Sequence, residues 1–596
     1  MLKQIDLLLT HPYVLSVQDK LADVGAVNVA LATLAVGATA VAIDYGRMLY
    51  LRSKMPPGPF PLPIVGNTFS LPNNKPWLLF EELSKKYKTP VITFWIGRNP
   101  TVWINDAWSA QEIFEKKAQI YSSRPRMVVF GELGDGQYSL VTMRTRNAEE
   151  RDRWRGHRKL MHMAVGVQTV RKYRQIQNNE SKLIALDYIR EPKEYVKHLE
   201  RYATSVVSII GFGRRVASYN DPIITEVIAL MQLAADLNVP GKSFPMLMET
   251  FPILAKFPRW VPWMKGLGSR GRGDGDYFYY TLNEEAVEQY AAKSPASQST
   301  MTKPFAQTLF DEKQKYNLTK REISSLTANL FGAGADTSSS TLVTFMLACC
   351  CFRDAMLKAQ AEIDAVIGPS RSPHWDDSPN LPYVNAFVKE VFRWRSVAII
   401  GGQPHSPTQD DTYKGWLIPA GTWVQGNVWA IHHNDRDFPD PDVFMPERFL
   451  EGNEHKRPFP NEKGYMTFGW GRRVCSGQAL AEQGTWVSVA RLLWAFDIRK
   501  KKDPVTGKDI DLDIFAFTNG LNMRPVPFEC DIIPRSEEIK ESVIREGEEA
   551  LRELSPLDGE SQYRLSTYYQ AMKAKGGTEP VIDEKSGELK MVKVKR

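Results

Sequence analysis

The stretch Phe468-Gly469-Trp470-Gly471-Arg472-Arg473-Val474-Cys475-Ser476-Gly477 decides the fold of this chain. It predicts a loop that runs into a helix from Gln478 to about Phe496. Backbone N–H groups and the positive dipole end of that helix favour the thiolate form of Cys475. Because a thiolate can hold a metal ion, the stretch predicts a metal site.

The kind of metal site follows from the number of protein ligands. Zinc and iron–sulfur sites need three or four, whereas no second Cys or His lies within ten residues of Cys475. Haem iron needs only one axial thiolate, because the porphyrin supplies the in-plane ligands. The alternative is a buried and unreactive cysteine, which is the usual state of a lone cysteine.

This loop resembles the haem-ligand loop of the cytochrome P450 superfamily, which reads Phe-x-x-Gly-x-Arg-x-Cys-x-Gly. Phe468, Gly471, Arg473, Cys475 and Gly477 fill every fixed position. The resemblance implies a mainly α-helical fold with small β-sheets, a haem b cofactor and Cys475 as the axial ligand. It also implies that the two glycines let the backbone approach the porphyrin and that Arg473 faces a haem propionate.

Composition limits the class of protein. The 596 residues are 43% hydrophobic and 24% charged, which is ordinary for a globular chain with a large core. Three of the five cysteines, Cys349 to Cys351, are consecutive, so they cannot form a spaced disulfide framework and indicate a reducing compartment. The net charge is only +7, and no basic stripe carries interleaved aromatics. Nucleic acid is therefore not expected as a partner.

An uncharged segment near the N-terminus predicts a transmembrane helix. Val24 to Ile43 contains twenty residues without a charge, or ~30 Å of helix. Arg47, Arg52 and Lys54 follow it, so the positive-inside rule places the bulk of the chain in the cytosol. A cleaved signal peptide is the alternative, although the apolar run lies far from the N-terminus for that role.

Proline and charge patterns predict the remaining organisation. Met55 to Pro63 has five prolines in nine residues and resembles the hinge of microsomal members of the family. Many Glu and Lys after Arg535 predict an amphipathic helix near Ile539 to Leu554, then a polar tail. The predicted organisation is a luminal segment 1–23, an anchor 24–46, a basic and proline-rich hinge 47–66, a monooxygenase domain 67–535 and a charged extension 536–596.

Two sites outside the cysteine loop resemble propionate partners of the family. Trp154 and Arg158 lie four apart in a helical pattern and match Trp-x-x-x-Arg, which in relatives donates to a haem propionate. Without the family pattern, such a pair is more often a cation–π contact at a surface. His405 falls where relatives place another propionate partner.

A long apolar helix carries the predicted catalytic residues. Thr319-Lys320-Arg321-Glu322 is a capping box, and the run after it lacks strong breakers until Phe352. Inside it, Ala333-Gly334-Ala335-Asp336-Thr337-Ser338 resembles the oxygen-activating segment of the family. The resemblance implies that Asp336 and Thr337 relay protons, with a hydroxyl that bonds back to the preceding turn and loosens the helix. The alternative is a polar stripe on a buried helix.

One acid and two bases form a predicted structural cluster. Glu390 and Arg393 lie one helical turn apart, and Arg448 stands in the Pro-Glu-Arg-Phe context of the family. A buried glutamate shared by two guanidiniums would lock the core beside the haem. Taken alone, the first pair is equally typical of an exposed helix surface.

Three further segments complete the fold prediction. Alternating strand-favouring residues between Lys88 and Trp103 predict an antiparallel hairpin. The aromatic segment from Val239 to Met264 predicts an apolar loop at the membrane and the substrate channel, or else an ordinary core loop. Phe517 to Leu521 resembles the turn that closes the substrate pocket.

The resemblance implies a function. It is a haem-thiolate monooxygenase of the endoplasmic reticulum membrane that inserts one oxygen atom from O2 into a small organic substrate. Electrons would come from NADPH–cytochrome P450 reductase, with cytochrome b5 as a further partner. The segments Gly401 to Thr408 and Trp423 to His433 resemble filamentous-fungal members that oxidise aromatics or polyketide intermediates in secondary metabolism.

Two alternatives remain open at this point. The chain could be an oxygen-independent haem-thiolate isomerase or dehydratase, or a non-enzymatic haem sensor. Neither chemistry needs a proton relay, so the intact pair Asp336-Thr337 favours the monooxygenase.

Overall fold

The computed structural model describes most of the chain and confirms a mainly helical architecture with small sheets. The described residues are 26–133, 136–221, 223–224, 248–258, 261, 272–519, 522–559, 578–582 and 589–593. The helices in these ranges are α1 (Ala26–Lys54), α2 (Pro76–Tyr87), α3 (Ala107–Ala110), α4 (Ala118–Tyr121), α5 (Ala148–Val165), α6 (Val167–Val170), α7 (Arg174–Arg190), α8 (Tyr195–Phe212), α9 (Arg272–Ala291), α10 (Pro295–Thr300), α11 (Phe305–Asp311), α12 (Lys320–Cys351), α13 (Arg353–Val366), α14 (Pro382–Trp394), α15 (Val428–His432), α16 (Gln478–Ala495) and α17 (Glu537–Leu554). The strands are β1 (Val91–Ile96), β2 (Asn99–Ile104), β3 (Asp411–Tyr413), β4 (Trp416–Ile418), β5 (Trp423–Gly426), β6 (Phe496–Lys500), β7 (Cys530–Pro534), β8 (Thr578–Ile582) and β9 (Leu589–Lys593).

Helix α1 has two parts with different surroundings. Its first part is apolar and largely exposed, and the helix is long and apolar enough from Asn28 to Lys54 to cross a membrane. Its last part packs on the domain, where Met48 is buried and Asp44 pairs with Arg98 at 2.5 Å. The helix continues to Lys54, beyond the predicted anchor boundary at residue 46, because no proline occurs before Pro56.

The small sheet beside α1 begins with the predicted hairpin. β1 and β2 pair antiparallel, which confirms that prediction, and β5 joins β2 as a parallel third strand. The proline-rich segment lies against this sheet, since the Thr93 N–H donates to the Pro57 carbonyl at 3.0 Å. A Cβ at Gly58 would stand 1.8 Å from the Thr93 carbonyl oxygen, so only glycine fits there.

Helix α12 runs through the main core. Thr319 and Glu322 form the predicted capping box at its start. Helix α8 crosses it closely, because a Cβ at Gly334 would lie 2.4 Å from a methyl group of Val207. The small residues of this segment therefore serve helix packing as well as the site.

The first part of the C-terminal extension belongs to the folded body. Helix α17 confirms the predicted amphipathic helix, and its Ala550 and Leu554 pack with Leu183 and Leu186 of α7. A Cβ at Gly547 would meet Leu186 at 2.8 Å.

Most of the predicted apolar loop from Val239 to Met264 lies outside the described residues. In its described part, Met248 is buried, whereas Ile253 and Phe257 are exposed.

Candidate functional site

The cysteine loop is closed by its own backbone. The Cys475 N–H donates to the Phe468 carbonyl at 2.9 Å, and a short 3-10 turn covers Gly471–Arg473 before α16 begins. Gly471 has φ +53°, and a Cβ there would lie 2.3 Å from the Phe114 carbonyl oxygen. This glycine is thus required by a backbone contact.

The cysteine side chain faces a cavity of ≈ 540 Å³ between this loop and α12. Phe468 and Gly477 also line the cavity, and Phe468 packs on Phe392 with ring centroids 5.2 Å apart. The accessible surface of Cys475 lies on the cavity side, because the residue is otherwise deep in the protein.

The acidity of Cys475 differs from the prediction. Burial raises the pKa of its thiol, although the N–H groups of Gly477 and Gln478 and the Arg158 guanidinium act in the opposite direction. The predicted backbone contribution exists, but the cost of burying a thiolate outweighs it. A cation bound next to the sulfur would reverse that balance.

Three arginines line one end of the cavity, of which Arg124 is buried and Arg158 and Arg473 are partly buried. Arg124 donates to the carbonyls of Val141 and Gln403 at 2.8 and 2.6 Å. Arg158 donates to the Ser476 hydroxyl at 2.6 Å and to the Val474 carbonyl at 2.7 Å. Arg473 donates hydrogen bonds to the carbonyls of Ser122, Leu140 and Met143.

Neutral partners leave these three charges uncompensated. Burial lowers the pKa of Arg124 to about 9, and burial together with Arg124 and Arg158 lowers the pKa of Arg473. Among the described residues, no carboxylate pairs with any of the three. A cluster of enclosed or partly enclosed positive charge with neutral partners fits an anionic ligand.

Trp154 and His405 complete this end of the cavity. The Arg473 guanidinium lies 4.4 Å from the Trp154 ring, while the buried Nε1–H of Trp154 has no hydrogen-bond partner among the described residues. His405 Nδ1 stands 2.8 Å from the Tyr121 carbonyl and must carry the hydrogen, because a carbonyl only accepts. Burial and the nearby Arg124 lower the pKa of His405, so its Nε2 accepts unless the ring is protonated.

Helix α12 forms another part of the cavity wall. The Thr337 hydroxyl donates to the Ala333 carbonyl at 2.6 Å, the predicted bond to the preceding turn, and the backbone remains α-helical there. Thr337 belongs to the cavity wall, whereas Asp336 lies behind it. The Asp336 carboxylate accepts from the Asn522 amide at 2.6 Å, and burial raises its pKa.

Comparison with known proteins decides the family. A family model described as Cytochrome P450 matches residues 56–520. Cytochrome P450 monooxygenase 58 of Postia placenta is 34% identical over 492 residues, 82% of this chain and 90% of that protein. Cytochrome P450 monooxygenase virE of Hypocrea virens is 30% identical over 536 residues, 89% of this chain and 93% of that protein. Cytochrome P450 monooxygenase fogE of Aspergillus ruber is 31% identical over 515 residues, 85% and 92% of the two chains.

The chain belongs to the cytochrome P450 family. It is an oxidoreductase with a haem cofactor, and it uses a small-molecule substrate and a redox partner. The cavity fits this cofactor, because the two carboxylates of a haem match the three uncompensated arginines, and the free Trp154 Nε1–H offers one more donor. Cys475, which faces the same space, fits the axial position of a cytochrome P450.

The predicted structural cluster comes together beside the site. The Arg393 guanidinium makes two hydrogen bonds to Glu390, at 2.6 and 2.8 Å, and both side chains are fully buried. Arg448 stands farther off, with its Nε 3.6 Å from the same carboxylate and its Nη2 bonded to the Asp440 carbonyl. Arg393 is therefore the principal partner of this carboxylate and Arg448 a secondary one.

Arg124 and Asn522 are among the residues of the cavity wall that sequence reasoning missed. Arg124 lies in Ser-Ser-Arg-Pro, where an arginine before a proline gives no sign of burial. Asn522 follows the predicted pocket turn directly, so a slightly longer segment would have included it. Gly520 and Leu521 of that turn lie outside the described residues.

Proposed function

We propose that this cytochrome P450 is a membrane-anchored monooxygenase that inserts one oxygen atom from O2 into a small, neutral and largely apolar substrate. The other oxygen atom leaves as water, and the reaction takes up two electrons and two protons. The observation that carries the proposal is one cavity whose wall includes Cys475, Thr337 and the three arginines Arg124, Arg158 and Arg473.

Each group of residues has a separate task in this proposal. Cys475 would hold the iron. The propionates would be bound by Arg124, Arg158, Arg473 and Trp154. His405 would also bind a propionate when its ring is protonated. The bound haem supplies oxygen activation, which the axial thiolate favours. The Thr337 hydroxyl would hold and pass protons at the cavity wall. Asp336, which lies behind that wall, would be the source of these protons. Glu390, Arg393 and Arg448 would keep the underlying core rigid.

The shape and charge of the cavity support the substrate class. The three arginines are the only charged side chains among its described lining residues, and the lining surface of the cavity as a whole is mostly apolar. With the arginines occupied by the propionates, a charged substrate would find no partner there. Aromatics and polyketide intermediates of fungal secondary metabolism meet this description, and the fungal relatives support that choice.

A positive surface next to the cysteine loop supports the electron donor. Arg151, Arg155 and Lys159 are exposed on α5, the helix that carries Arg158, and the exposed Arg472 lies close to the first two. Asp152 on the same helix pairs with Arg155 at 3.3 Å and offsets one of these charges. An acidic flavoprotein would be attracted to this surface. We assign that role to NADPH–cytochrome P450 reductase, with cytochrome b5 as a second donor. The apolar α1 would anchor the chain in the endoplasmic reticulum membrane with the domain in the cytosol.

The experiment that tests the proposal is the substitution Cys475→Ser. We expect the variant to lose the red-shifted Soret band of the reduced carbon monoxide complex, because that band depends on a thiolate ligand. Cys530→Ser is the matched control, since Cys530 lies on β7 outside the cavity wall, and it should keep the band. Retention of the band in Cys475→Ser would refute the assignment.

A further inference from the structure

Asn522 connects the cavity to a carboxylate that the cavity does not reach. It lines the cavity, and its amide donates to the Asp336 carboxylate at 2.6 Å. Among the described residues, no other side chain forms a hydrogen bond with this carboxylate. Asp336 and Asn522 are 186 residues apart in the sequence, so the contact exists only in the fold.

The other charged groups that face Asp336 act from a distance. Arg524, from the same C-terminal segment as Asn522, and Glu200, from α8, oppose each other in their effect on the Asp336 pKa. They also form an ion pair with each other at 2.8 Å. Their charges act in opposite directions on Asp336, and the Asn522 amide is the direct contact that favours the ionised carboxylate.

We propose that Asn522 is a positioning residue for Asp336. Asn522 fixes the Asp336 carboxylate against the C-terminal segment and sets the pH at which Asp336 holds a proton. The proposal rests on the oxygen-activating function given above, in which Asp336 supplies protons behind Thr337. A carboxylate in a buried place is costly unless a donor satisfies it, and a neutral amide does so without adding charge. Asn522 thus keeps Asp336 able both to lose and to regain a proton.

Removing the amide should make Asp336 hold its proton more tightly. Asn522→Leu has nearly the same size but no donor, so burial would act on the carboxylate without opposition from a hydrogen bond. We expect the proton affinity of Asp336 to rise about tenfold or more, the usual effect of one hydrogen bond to a charged group. Asn522→Ser and Asn522→Gln keep a donor and should restore part of the original affinity.

The measurement is the infrared carbonyl band of a protonated carboxylic acid, followed against pH in the resting haem-loaded protein. The Asp336 band is obtained by subtracting the spectrum of Asp336→Asn, made in the same background. Asn329→Leu is the matched control, because Asn329 is another asparagine of the cavity wall, bonded to Ser139 at 2.8 Å instead of to Asp336. The titration midpoint should move to higher pH in Asn522→Leu and stay in place in Asn329→Leu.

A second measurement uses turnover. The hydrogen peroxide released per NADPH, with excess reductase, should depend on pH with a midpoint that moves in the same direction in Asn522→Leu. An unchanged infrared midpoint in Asn522→Leu would overturn the proposal. If Asn522→Leu does not fold, Asn522→Ala removes the same donor and provides the same comparison, and a wild-type midpoint in Asn522→Ala would overturn the proposal as well. Because the infrared titration needs no turnover, failure of the proposed function would leave its result readable.

Discussion

The two ends of the cavity would hold their ligands by different interactions, charge at one end and shape at the other. At one end, Arg124, Arg158 and Arg473 are fixed by backbone carbonyls and carry charge that no described carboxylate balances. At the other end, around Thr337, the wall is formed by neutral groups such as Val207 and Asn522. Charge defines the cofactor end because a haem always brings the same carboxylates. Shape would define the substrate end, because its neutral groups offer no charge to a ligand.

The strongest test of this division is Thr337→Ala, which acts on the neutral end alone. We expect haem content and substrate-induced spectral shifts to persist, because the cysteine and the arginines are untouched. Product formed per NADPH should fall, with the lost electrons appearing as hydrogen peroxide, by up to the ~10²–10⁴-fold typical of a positioned acid or base. The measurement is NADPH consumed against product and peroxide formed, with reductase in excess.

Thr341→Ala is the matched control for that experiment. Thr341 also lines the cavity one turn further along α12, and its hydroxyl bonds to the Thr337 carbonyl at 2.9 Å. The control should remain closer to wild-type coupling. Wild-type coupling in Thr337→Ala would mean that protons arrive by another route and that Thr337 only packs the helix.

The complementary test removes charge from the other end. Arg124→Leu should weaken haem retention by ~10–100-fold, the value of a hydrogen bond to a charged group, because one propionate partner is lost. Haem lost to apomyoglobin as an acceptor measures this directly. Arg126→Leu, which removes a nearby exposed arginine paired with Glu132, should retain haem normally. Equal loss in both variants would show that the arginine cluster does not select an anion.

The sequence predicts the two ends unequally, and the reason is physical. Cys475 and Arg473 lie in one contiguous loop, because a ligand and the backbone that cradles it must be neighbours in the chain. Thr337 and Asp336 are neighbours on one helix, so the sequence shows them as a single motif. Arg124 and Asn522 reach the cavity only through tertiary folding, so no local spacing marks them.

The same distinction applies to the fold. The hairpin of β1 and β2 and the capped start of α12 follow from local patterns, and both predictions are confirmed. The packing of α17 on α7 depends on Leu183 and Leu186, which are far from α17 in the sequence. The sequence pattern therefore predicts the apolar face of α17 but not the surface of α7 on which that face packs.

The contact between the start of α12 and helix α5, here called the α5–α12 joint, gives a third prediction, which concerns stability. Glu322, at the start of α12, bonds to Arg153 and His157 of α5, the helix that carries Trp154 and Arg158. Burial alone would raise the pKa of Glu322, but the hydrogen bonds from His157, Arg153 and Thr319 lower it to about 2. The α5–α12 joint should contribute fully to the free energy of unfolding above the ordinary glutamate pKa of 4.5, and this contribution should decrease as the pH falls toward 2.

Thermal unfolding at several pH values measures this effect. Glu322→Gln should lower the melting temperature near neutral pH, and its difference from wild type should shrink as the pH falls below about 4.5. Glu149→Gln, at an exposed carboxylate in the first turn of α5, is the control and should change little. A difference that does not depend on pH would show that Glu322 acts through packing instead of charge.

The smallest effect is expected from the anchor, which touches neither end of the cavity. A chain that begins at Asp44 loses the exposed apolar part of α1 but keeps the Asp44–Arg98 pair and buried Met48, so its haem spectrum and melting temperature should match the full chain. A chain that begins at Lys54 loses these contacts and uncovers the sheet residues that Met48 shields, at a cost of ~1–3 kcal/mol. Equal melting temperatures for the two truncated chains would mean that α1 contributes no stability to the domain. In that case α1 would act solely as a tether, and the proline-rich segment would be the true boundary between anchor and domain.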